Sequence, residues 1–144
     1  MFEFHGWATI RISDRESEFE SIGRGPMVDA IKRVRAALNE AHDEFSAFDL
    51  RSAGNGLVVL SVHGLRNHRY KPVIELFRWV ATELPDSYGL LYVHDDEDGG
   101  RGSDYTNEFR VWRMARGKLE EHADTLLSPY FPTVELPETF DDSA

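Results

Sequence analysis

An α+β fold, with helices packed on one face of a β-sheet, follows from three features of the sequence. FEFHGWATIRI (2–12) alternates apolar and polar residues with a period of two, the pattern of a half-buried strand. Two later segments carry apolar residues at spacings of three and four, the stripe of an amphipathic helix. Between and after them lie short runs of β-branched and aromatic residues bounded by glycine, asparagine and proline, which read as further strands.

In the first strand Phe2, Phe4, Gly6, Ala8, Ile10 and Ile12 take one parity, and Glu3, His5, Trp7, Thr9 and Arg11 the other. The first set is the core face, which leaves a tryptophan beside a histidine on the polar one. The polar, glycine-punctuated SDRESEFESIGRG (13–25) reads as a loop. Gly25-Pro26 opens a helix, because the fixed φ of proline suits the first helical position. Met27, Ile31, Val34, Leu38, Ala41 and Phe45 form its apolar stripe, with an end near Phe45. FDLRSA (48–53) and LVVLSVHGLR (57–66) flank Gly54-Asn55-Gly56, a strong hairpin signal, and the second is apolar on both parities, as a central strand is. Pro72 starts a second helix that buries Val73, Phe77, Val80 and Leu84, and Pro85 stops it. YGLLYVHD (88–95) is the next strand.

An acidic loop, DEDGGRGSD (96–104), leads to the strand NEFRVWRMAR (107–116), followed by Gly117 and a short KLEEH segment. LLSPYFPTV (126–134), stiffened by Pro129 and Pro132, is expected to lie against the body, and LPETFDDSA (136–144) to form a frayed acidic tail. The order β-α-β-β-α-β plus one C-terminal antiparallel strand predicts a ferredoxin-like sandwich with two helices on one face of the sheet. Nothing marks a second domain, so residues 1–135 read as a single domain and 136–144 as its tail.

Composition narrows the function. Sixteen basic against 26 acidic residues give a net charge of −10, which disfavours nucleic acid as a partner and favours a basic protein. No run approaches the ~20 apolar residues of a membrane span, and no basic stretch followed by an apolar core suggests a secretory signal. With no cysteine, thiol chemistry and zinc–thiolate sites are excluded, and a cytoplasmic location fits.

The chemical motifs are weak. His63 and His68 fit no familiar ligand spacing. Aligning Gly99 with the sixth position of a calcium loop leaves the twelfth as Tyr105 instead of glutamate, so no metal is expected there. The acids at 95–98 and 104 read as a solvated turn. Gly23-Arg24-Gly25 lacks the lysine and hydroxyl of a phosphate loop, and no nucleophile elbow is present. No cofactor is expected, and neither is an enzyme. The aromatic residues are more informative. If Phe109, Val111, Leu91 and Val93 face the helices, Trp112, Tyr92 and Trp7 form one aromatic strip on the open face. That strip is covered by residues 126–134, by a partner, or by a second copy in a homodimer.

FEFHGWATI, YGLLYVHDDE, VWRMARGKLEE and LSPYFPTVE, in that order, resemble the immunity protein 7 family of bacterial polymorphic toxin systems. The resemblance spans roughly residues 2–135; it departs at Ala123-Asp124-Thr125, where a proline is expected after the aspartate. It implies a cytoplasmic antitoxin that binds the C-terminal domain of a secreted or contact-delivered toxin, often a nuclease, and neutralises it stoichiometrically. On that reading Asp95, Asp96, Glu97 and Asp98 steer a basic toxin, while Trp7, Trp112 and Tyr92 anchor it. The alternative is a small-ligand-binding or regulatory domain using the open face, with His5, His63 or Tyr92 as polar handles.

Overall fold

The computed structural model describes residues 1–12 and 25–137; the expected loop at 13–25 and the acidic tail fall almost wholly outside that range. In chain order the elements are β1 (Phe2–Thr9), α1 (Pro26–Ala41), β2 (Ser46–Ser52), β3 (Val58–Arg66), α2 (Lys71–Glu83), β4 (Tyr88–Asp95), β5 (Phe109–Ala115), β6 (Lys118–Ala123) and a single helical turn, α3 (Tyr130–Thr133). The fold is α+β, with six strands in one open antiparallel sheet of order β2-β3-β1-β4-β5-β6. Each helical crossover steps over one strand, so β3 comes to lie between β2 and β1, and β1 between β3 and β4.

The two helices lie on the face that carries Phe2, Phe4 and Ala8 of β1, Leu60 and Val62 of β3, and Leu91 and Val93 of β4. From α1 the core takes Ala30, Val34, Leu38 and Ala41; from α2 it takes Val73, Ile74, Leu76, Phe77, Val80 and Ala81. Each large apolar side chain buried in this layer contributes roughly 1.5–3 kcal/mol. Glycine is what lets the aromatic layer close. Phe4 sits among Phe2, Phe48 and Tyr70, and a Cβ on its cross-strand partner Gly64 would meet the Phe4 ring at 2.3 Å. At Gly89 a Cβ would lie 2.0 Å from the backbone oxygen of Trp7, so β1 and β4 approach too closely for any side chain.

Three expectations require correction. The sheet has six strands instead of five, because Lys118–Ala123 pairs with β5 across the Arg116-Gly117 turn, where both residues have positive φ. The first helix ends at Ala41 and not near Phe45: the Asp43 carboxylate accepts from the Phe45 amide and the Ser46 hydroxyl, turning the chain, and Phe45 stands exposed beneath the Arg66 guanidinium. Finally, β5 faces the other way from expectation. Leu91 is opposite Trp112 and Tyr92 opposite Val111. Trp112 and Met114 therefore pack on the helix side, with Arg78 of α2 over the Trp112 ring, and Phe109 and Val111 take the open face.

Gly64→Ala is expected to lower stability by about 1–3 kcal/mol, since the Phe4 ring is fully buried and has nowhere to move. A reduced urea midpoint at unchanged slope checks this.

Candidate functional site

The open face is built by register. Trp7 faces Leu90 on one side and Ser61 on the other; His5 lies between His63 and Tyr92; Glu3 lies between Leu65 and His94. Beyond β4 the row continues into Phe109 and Val111. The aromatic strip thus exists, but Phe109 takes the place expected for Trp112. Tyr92 meets Phe109 edge-on at 6.5 Å, and Trp7 meets Tyr88 edge-on at 6.1 Å.

The C-terminal segment covers one end of this strip and leaves the other open. Tyr130 stacks on His94 at 4.0 Å and packs against Phe109, which is buried. Trp7 and Tyr88 remain 41% and 42% exposed. The segment is held by polar contacts. The Asp124 carboxylate accepts from the amides of Leu126 and Leu127 and from the Ser128 hydroxyl, and the Phe109 amide donates to Ser128 Oγ. Burial pushes the Asp124 carboxyl up, but those donors outweigh it and hold its pKa below the ordinary value. Asn107 clasps Phe131 on both its amide and its carbonyl, and the Tyr130 amide donates to the Asn107 carbonyl. Between this strap and the sheet lies a groove of about 630 Å³, floored by His5, Tyr92 and Phe109 and walled by Leu126, Leu127, Tyr130 and Val134.

Two histidines meet on the face. His5 Nδ1 and His63 Nδ1 lie 2.8 Å apart, one donating and the other accepting, and His5 Nε2 is 2.7 Å from the Glu3 carboxylate. Burial, and then the charge of His5, lower the His63 pKa below 6.5. The deeper His94 has Nε2 on the Thr106 carbonyl at 3.0 Å, and its buried Nδ1 finds no partner among the described residues.

The acidic loop is not the solvated turn that its composition suggests. Asp95 and Asp98 are only 5% and 7% exposed. Arg69 contacts Asp95 at 3.1 Å and reaches toward Asp98, and Arg101 grips Asp98 and Glu121 with two hydrogen bonds each. Arg110 joins Glu121 to Glu108 with its guanidinium over the Tyr105 ring. The hydrogen bonds from Arg101, and the one from Arg110, pull the Glu121 pKa down to about 2 against the burial that raises it. Asp96 and Glu97 are exposed; Asp96 pairs with the Met1 amine at 2.6 Å and Glu97 with His68 at 2.8 Å. Asp95, Asp96 and Glu97 bring carboxylate oxygens within 4.8 Å of one another, but each already holds a cationic or imidazole partner from the protein itself.

Of the residues singled out from sequence, Trp7 and Tyr92 share the open face, Trp112 lies behind the sheet, and the four acids sit at the far end of β4. Sequence reasoning missed Phe109, Leu126, Leu127 and Tyr130 as groove residues. The signal for the last three was the apolar character of 126–134.

The family model for immunity protein 7 matches residues 1–136. The chain belongs to the immunity protein 7 family. The match carries an immunity role in general terms and a toxin as the kind of partner. No curated protein and no solved structure matches the chain. No helix among the described residues is long and apolar enough to cross a membrane.

Two pH effects follow for this immunity protein. The Glu121 carboxyl titrates at about 2 when folded and near 4.5 when unfolded, so its contribution is complete above pH 4.5 and is lost as pH falls toward 2. Glu121→Gln is expected to flatten that part of a thermal-midpoint profile and to lower stability at pH 7 by about 1–3 kcal/mol. His63 binds its proton less readily folded than unfolded, so stability declines as pH drops below 6.5. His63→Gln is expected to remove that slope in the same measurement.

Proposed function

We propose that this chain is an antitoxin that binds the toxin domain encoded beside its gene and holds it inactive in a one-to-one complex, without catalysis of its own. The family match over nearly the whole length carries this reading. The charge of −10 favours a basic target, such as a nuclease whose substrate is a polyanion, and a cytoplasmic site of action. The strand order β2-β3-β1-β4 supports describing the first four strands as ferredoxin-like, with residues 1–135 as one domain.

Steering falls to Asp96 and Glu97, the exposed acids, while Asp95 and Asp98, tied to arginines, shape the loop that presents them. Anchoring falls to Trp7 and Tyr92. Trp112 is assigned a packing role, because it packs half-buried against the core with Arg78 over its ring. The groove supports the second reading, a small-ligand domain, since it is apolar with His5 and Glu3 as polar handles.

Calorimetric titration with the neighbouring toxin domain at two salt concentrations tests the proposal. Tight 1:1 binding that weakens in salt is expected; a null titration sends the reading to the small-ligand alternative. Trp7→Ala is expected to weaken binding about tenfold or more at unchanged stability. Trp112→Ala is expected to lower stability by about 2–4 kcal/mol while the remaining folded protein binds normally.

A further inference from the structure

Among the described residues, exposed apolar surface is concentrated on the C-terminal strap. Leu126, Leu127, Phe131, Val134 and Leu136 make up half of the ten large hydrophobic residues that stand exposed, with Leu126 at 76%. The strap is not apolar chain that failed to find the core. Tyr130 is packed inward on His94, and the carboxylate of Asp124, the side chain of Asn107 and the hydroxyl of Ser128 fix the backbone on both sides of the leucines. The leucines are displayed by a backbone that hydrogen bonds already hold in place, and a preorganised surface loses little conformational freedom on binding.

The groove under the strap also has a sign. Its only charged lining groups are Glu3 and Asp124, with no lysine or arginine among the described residues that line it. Asp124 is saturated by donors from its own loop, whereas among the described residues Glu3 makes one polar side-chain contact, to His5, through one of its two carboxylate oxygens.

We propose that this groove, and not the acidic loop, is the seat of the toxin: it takes an apolar side chain of the toxin domain that carries a lysine or arginine beside it, the apolar part between the strap leucines and Tyr92, the cation on Glu3. This rests on the antitoxin reading and refines it. The acidic loop then governs the rate of encounter, and the groove governs release.

The experiment measures association and dissociation of the full chain with the toxin domain encoded beside its gene. It compares wild type with Leu127→Asp/Val134→Asp, Glu3→Gln, and the distant surface variant Leu57→Asp at the β2–β3 hairpin. Thermal midpoints and near-ultraviolet circular dichroism check that each variant is folded. The double variant is expected to weaken affinity by about 30-fold or more through faster dissociation. Glu3→Gln is expected to weaken it about three- to tenfold with a shallower salt dependence. Leu57→Asp is expected to stay within about twofold. If wild type binds and the folded double variant binds equally well, the groove is overturned as the seat while the antitoxin reading stands. An indifferent Glu3→Gln overturns the cationic part. If wild type fails to bind, both fall together. Sedimentation of the free chain covers the remaining occupant: a dimer that the double variant dissociates, and that the toxin does not displace, overturns the proposal in favour of a second copy.

Discussion

The pairing of β1 on both sides constrains everything else in this molecule. From Phe2 to Thr9 it is matched residue for residue with β3 on one side and β4 on the other. Side chains alternate strictly across a sheet, so this double register leaves no freedom to slip: a shift of one residue would send Phe2, Phe4 and Ala8 into solvent and Glu3 and His5 into the core. The alternation of β1 therefore decides which face the helices cover and which set of residues remains available to a partner. Gly64 and Gly89 belong to the same constraint. One makes room for the Phe4 ring, and the other lets the backbone of β4 close on β1.

The negative charge of the chain has two separate roles, and composition alone merges them. Part of it is internal. Asp98 lies between Arg69 and Arg101, Glu121 lies between Arg101 and Arg110, and Asp95 faces Arg69; through Arg101 these contacts join the loop after β4 to the outermost strand. Charged groups this enclosed are held by geometry, and removing one partner strands the other. Other acids, Asp96 and Glu97 among them, lie at the surface, where they contribute to the long-range field but little to stability.

The extent to which the fold was legible in the sequence follows from how unequal the two faces of each strand are. In β1 every core-side residue is apolar or glycine, and its placement was clear. In β5 Phe109 and Val111 compete with Trp112 and Met114, so period two does not choose between them, and only pairing to β4 breaks the tie by setting Leu91 opposite Trp112. β6 leaves little trace in the sequence because Leu119 is its single buried apolar residue and because Arg116-Gly117 lacks the usual asparagine or aspartate of a tight hairpin. Phe45 continued the helical spacing of α1, but the spacing cannot register that Asp43 captures the next two donors and ends the helix. For the site, Trp7 and Tyr92 were readable from parity. Phe109 and the strap were not, since they depend on contacts between segments far apart in the chain.

The strap also resolves why a tryptophan stands on the polar parity of β1. A sheet face left open beside a groove has to be compatible with water and still offer an apolar contact, and indole does both because its ring is amphipathic. Had the strap run across the whole face, Trp7 would be core. Instead the polar anchors, Asp124, Ser128 and Asn107, all act on the β5 side, where Phe109 and His94 receive Tyr130. Among the described residues, the β1 side receives no such anchor. Trp7 and Tyr88 keep each other edge-on with their outer surfaces free. The exposed end of the strip lies on the same face of β1 as His5 and Glu3, which line the groove beneath the strap. The shape of that face is held by hydrogen bonds at the strap and by strand register at the sheet, before any partner arrives.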